Sequence, residues 1–145
     1  MEWLSIFGLI VVTFIMIPNV IYAAKNKDEK NKCTNKAMNI IEQIGRYGSI
    51  FFMIFNIGLF ENGFASDEAY VLWLVGTATL ILAYWIIWGF YLKKKRTVFA
   101  LALAIIPSLI FISSGFLMRH WLLLLFGALF SIGHIYVTHK NIAEE

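Results

Sequence analysis

The stretch NIIEQIGRYGSIFFMIFNIGLF, residues 39–60, decides how many times the chain can cross a bilayer. Its apolar part, uninterrupted by charge, covers residues 47–60, only about 14 positions, whereas a helix needs about 20 to span ~30 Å of hydrocarbon at ~1.5 Å per residue. A crossing here must draw charge below the surface. Counting back from Phe60 starts the embedded part near Ile41, which places Glu42 inside the helix and Arg46 roughly 8 Å below its end. The competing possibility is an interfacial amphipathic helix over residues 35–45 that turns inward at Gly45 or Gly48. A continuous helix over about 38–60 is preferred.

Outward from this segment the spans are plainer. Residues 3–24, 69–92, 97–118 and 121–138 are apolar runs of span length. The last two are separated only by Arg119 and His120 and must be antiparallel neighbours. The expected fold class is an all-α integral membrane protein of five transmembrane helices, forming a single domain over residues 1–145. Composition agrees: 60% of the residues are hydrophobic and only 14% charged, against about 25% charged in soluble domains. Mean hydropathy is +0.74. A disordered chain, a disulfide scaffold and an ordinary soluble enzyme are excluded.

If the segment after the first span is cytoplasmic, all of the 12 lysines and arginines except Arg119 fall on that side. Glu2, Glu61, Asp67 and Glu68 fall on the other. Basic residues are retained inside, so the amino terminus is expected outside and the carboxyl terminus in the cytoplasm, in the cell (inner or plasma) membrane. The abundance of lysine, asparagine and isoleucine suggests an AT-rich bacterial genome. The first span carries Glu2 in place of a basic leader and is followed by lysines, so it is expected to stay in the mature protein. Anionic lipid headgroups are the expected partner of the basic inner rim. The lysines lack the aromatic or glycine patterning that would point to nucleic acid. Cys33 has no partner for a disulfide or a metal site.

Polar side chains inside hydrocarbon must find partners, so they are the informative residues. Asn39, Glu42, Arg46, Ser49, Met53 and Asn56 recur every three or four positions and share one helix face. That stripe must face other helices or a wet cavity, and Gly45 and Gly48 beside it permit close approach. Glu42 and Arg46 have the spacing and order of a helical ion pair. Counted from the cytoplasmic ends, Asn19, Arg46, Trp88 and His134 lie at one level, with Glu42 a turn shallower. Pro18 removes the amide that would bond the Phe14 carbonyl, leaving an acceptor near that level. Trp85 lies deeper than an interfacial belt requires and with Trp88 is expected to wall a site, whereas Trp3, Trp73 and Trp121 suit the outer boundary. The expected ligand-binding set is Asn19, Glu42, Arg46, Ser49, Asn56, Trp85, Trp88 and His134, with no metal, no cofactor and no catalytic residue.

His120 and His139 lie at opposite membrane faces, and no metal-binding spacing occurs. No serine or cysteine is aligned with a base for nucleophilic chemistry; Ser113 and Ser114 lie in the outer half, away from His134. Three functional classes remain. The first is binding or transport of a small solute or ion by a homo-oligomer, for which a homodimer packed through Gly8 and Val12 or through Gly127, Ala128 and Ser131 is the expected form. The second is a regulatory, immunity or assembly subunit docked on another membrane protein. The third is a lipid-modifying enzyme using Glu42, Arg46 and His134.

Overall fold

The structure, a computed structural model, describes residues 5–25, 35–55, 63–94 and 96–143. Expectations attached to Glu2, Trp3, Cys33, Asn56, Glu61 and the lysines Lys27, Lys30, Lys32 and Lys95 lie outside these residues. The described chain forms five α-helices and no strand: α1 (Ile6–Lys25), α2 (Lys36–Ile54), α3 (Asp67–Lys93), α4 (Thr97–Leu117) and α5 (Trp121–Ala143). Four of them, α1, α3, α4 and α5, are long and apolar enough to cross a membrane. Their outward faces carry Leu72, Leu82, Val98 and Phe116 in exposed positions. Apolar surface of this kind suits lipid rather than water.

α2 departs from the expected bounds. It runs unbroken through Gly45 and Gly48, as a continuous helix, but begins at Lys36 and stops at Ile54 instead of reaching about residue 60. The early start has a local cause, because the Asn35 side chain accepts a hydrogen bond from the Met38 amide and satisfies a donor that a helix start leaves orphaned. Across the 19 residues of α2, Glu42 and Arg46 therefore stand about 9 and 15 Å from its start, deeper than a start near Ile41 implies.

α5 packs between α2 and α4, α3 packs on α4, and α1 closes the ring by touching both α2 and α3. The interhelical contacts fix directions. Gly45 meets the Phe130 backbone while Gly133 meets that of Glu42, so α2 and α5 are antiparallel. Gly115 against Leu124 makes α4 and α5 antiparallel, and Trp73 with Ser114 does the same for α3 and α4. α1 and α3 run parallel, Phe7 meeting Tyr70 and Tyr22 meeting Trp88 and Tyr91. Lys25, Lys36, Lys93, Arg96 and Lys140 consequently gather at one end of the bundle, and Arg119 lies at the other.

Helices in lipid gain little from hydrophobicity and associate by close packing and hydrogen bonds. The glycines supply the first. A Cβ on Gly45 would stand 2.2 Å from Phe130 N, and one on Gly133 would stand 2.6 Å from Glu42 N. Gly8 lies under the Met53 carbonyl and Gly127 against Phe111. Both glycines were expected to serve packing between copies; each makes its close approach within the chain, Gly8 to α2 and Gly127 to α4. Trp73 Nε1 supplies the second kind of contact, donating to Ser114 Oγ at 2.8 Å in the buried interior.

The tight α4–α5 corner is built as a helix C-cap. His120 N–H bonds Gly115 O and Arg119 N–H bonds Phe116 O, the pairing that places one residue in the left-handed region. That residue is Arg119, with φ of 49°, and its Nε donates to the Gly63 carbonyl at 2.8 Å, tying the corner to the segment before α3. His120, buried, starts α5, with its Nδ1 3.5 Å from the Leu123 amide.

Candidate functional site

Pro18 on α1 lacks an amide hydrogen, so the Phe14 carbonyl loses its helical partner, and an orphan carbonyl in hydrocarbon is costly. Trp85 on α3 supplies the missing donor, its Nε1 lying 2.9 Å from Phe14 O. One residue after the proline, Asn19 turns its amide to the interior, where Nδ2 donates to Ile15 O at 2.7 Å and to Tyr84 Oη at 2.6 Å. These bonds join α1 to α3 at the depth of the polar layer.

On α2, Arg46 pairs with Glu42 one turn earlier. The two have unequal surroundings. Glu42 is only 4% exposed and its backbone is covered by Gly133 of α5; the Arg46 side chain is 33% exposed. His134 of α5 brings Nδ1 to 3.4 Å from Glu42 Oε1, within reach of an ion pair if protonated, and its ring stacks on Phe130 with centroids 4.7 Å apart. The glycine contacts that draw α2 onto α5 thus also set the carboxylate between guanidinium and imidazole.

These groups border a cavity of about 320 Å³ to which every helix contributes. α1 gives Val12, Ile15, Asn19 and Val20; α2 gives Arg46 and Ile50; α3 gives Tyr84. Pro107 and Phe111 of α4, with Phe130 and His134 of α5, complete the walls. The surface is mostly apolar, with polar groups concentrated in Asn19, Arg46, Tyr84 and His134. Hydrogen-bond donors and a cation can therefore meet a small ligand in an otherwise greasy chamber.

Of the residues singled out from sequence, Asn19, Arg46 and His134 line this cavity, and Glu42 stands behind Arg46. Ser49 is fully buried but is not part of the lining, and its Oγ makes no hydrogen bond. Asn56 lies outside the described residues. Trp85 and Trp88 do not wall the cavity. Trp85 is committed to the Phe14 carbonyl and is 40% exposed on the outside of the bundle. Trp88 packs among Tyr22, Tyr84 and Tyr91 in the α1–α3 seam. Tyr84 takes their place in the site. Its signal was present in the sequence, since a tyrosine nine positions from Lys93 is too deep for an interfacial belt.

Among the described residues no cluster of three or more histidine, cysteine, aspartate or glutamate side chains could hold a metal ion. Ser114 is engaged by Trp73, and Ser113 Oγ donates to Ile110 O at 3.2 Å. The chain is thus a small all-helical protein, with four helices suited to a bilayer, assembled round a cavity with one polar level. No family model, curated protein or solved structure matches it.

Proposed function

We propose that the chain is a five-pass membrane protein that binds a small solute in this cavity, with its basic end in the cytoplasm and its amino terminus outside. The antiparallel packing of α2 on α5 supports a fifth crossing, because α2 extends about 28 Å and hides Glu42, Ser49 and Met53 on its inner face. The gathering of the lysines at one end supports the orientation. One observation carries the binding role: five helices converge on a single cavity of about 320 Å³, within the usual ~300–1,000 Å³ of small-molecule sites, and present a charged side chain to it. Release of the solute on the opposite side would make the protein a carrier.

The test is native mass spectrometry of the protein released from its own membrane. Val20 lines the cavity but is 58% exposed, so Val20→Trp narrows the chamber without disturbing buried packing. Wild type and the lipid-facing control Ile86→Trp should carry a small-molecule adduct that Val20→Trp lacks. An adduct retained in Val20→Trp, or absent from all three, refutes the reading.

A further inference from the structure

We infer that the solute is an amphiphile with an anionic head, a carboxylate or a phosphate, that enters sideways from the bilayer between α1 and α2; this rests on the binding role proposed above. Two independent observations lead there. The first is the position of the opening. Met16, Val20 and Ala23 follow one another at helical spacing on α1, line the cavity and are nonetheless exposed. α1 and α2 are held together at the end away from the lysines, where Gly8 meets Met53 and Ser5 N–H bonds Ile54 O at 2.7 Å. Towards the lysine end the exposed α1 stripe borders the gap instead, and its apolar rim admits a hydrocarbon tail.

The second is the charge that the chamber presents. Arg46 lines it while Glu42 is turned away into the α2–α5 seam, and no carboxylate is among the lining residues. A ligand head meets the guanidinium first, and in a poorly polarisable interior the nearer charge dominates. A guanidinium offers five donors in a planar fork that matches carboxylate and phosphate oxygens, and only part of that fork is spent on Glu42. Val12, Ile15, Ile50 and Phe111 offer the tail an apolar bed.

The full chain in phosphatidylcholine nanodiscs, exposed to a medium-chain fatty acid bearing a diazirine, should crosslink at residues 16–23 and at Ile50. The matching fatty alcohol should label these positions about tenfold less, the factor expected from losing a charge-assisted hydrogen bond of ~1.5 kcal/mol. Water-soluble benzoate should not compete. Val20→Trp should abolish the labelling and Ile86→Trp should leave it. Phosphatidylglycerol in the disc that displaces the acid assigns the head to a membrane lipid; failure to displace assigns it to a single-chain acid, and either supports entry from the bilayer. Equal labelling by acid and alcohol, or labelling of residues 71–86 on α3 as strong as that of α1, overturns the inference. Displacement by benzoate also overturns it but leaves a small-solute site in place, whereas loss of both this labelling and the native adduct removes the site itself.

Discussion

Replacing Gly45 by alanine tests the packing that positions the site. The new methyl carbon would stand 2.2 Å from Phe130 N, 2.5 Å from Phe130 Cα and 2.9 Å from Leu129 C. All three are backbone atoms of α5 and cannot rotate aside. Ordinary contact begins at about 3.5 Å, so the two helices must part by more than an ångström, and overpacking of this kind costs ~1–3 kcal/mol. Alanine in a helix recovers up to about 1 kcal/mol relative to glycine, leaving a net loss of up to about 2 kcal/mol and placing Gly45→Ala below the glycine controls. Gly76 and Gly89 provide the control, since a Cβ at either meets nothing within 4 Å; alanine there should be neutral or stabilising by up to about 1 kcal/mol. Gly133→Ala strains the same seam, 2.6 Å from Glu42 N, so the double variant should lose less than the sum once the first methyl has opened the gap. Reversible unfolding in mixed micelles, followed by tryptophan fluorescence, measures all five variants. Gly45→Ala as stable as Gly76→Ala would refute the close approach of α2 to α5.

Trp85→Phe should cost about 1 kcal/mol by orphaning the Phe14 carbonyl, but almost nothing in a Pro18→Ala background, where residue 18 again donates to that carbonyl; the same unfolding assay, run as a double-mutant cycle, reads the coupling. Arg46→Met should cost about 2 kcal/mol, below the ~3–5 kcal/mol usual for breaking a buried pair because His134 remains beside the carboxylate, and thermal stability checks it. Exchanging the pair, Glu42→Arg with Arg46→Glu, should not restore that stability, because position 42 is closed by Gly133 and cannot house a guanidinium. Asn19→Leu removes the bond to Tyr84 and should loosen α1 from α3 by about 1 kcal/mol, visible as faster hydrogen exchange of α1 amides after Pro18.

Four of the helices were legible because each carries an apolar run long enough to satisfy the length rule for a bilayer. α2 escaped that rule because Glu42 and Arg46 interrupt its apolar run, and its start is set by the Asn35 cap rather than by hydropathy. Asn19, Arg46 and His134 could be placed by counting depth, a one-dimensional measure that survives folding. Direction round each helix axis could not. Trp85 and Trp88 share a side of α3, yet which tryptophan turns outward depends on the carbonyl freed by Pro18 on a different helix, and Tyr84 inherits the cavity as a consequence. Gly8 and Gly127 were read as surfaces for a second copy because spacing reveals that a close approach occurs, but not to which backbone.

An experimental density map of the chain in a lipid disc would address the cavity itself. The arginine on α2 should be seen turned inward beside the asparagine of α1 and the histidine of α5, with a gap open to lipid along Val20 and non-protein density within it. Val20 and Ile50 closed against each other, or Arg46 extended out toward the headgroups, would contradict the account.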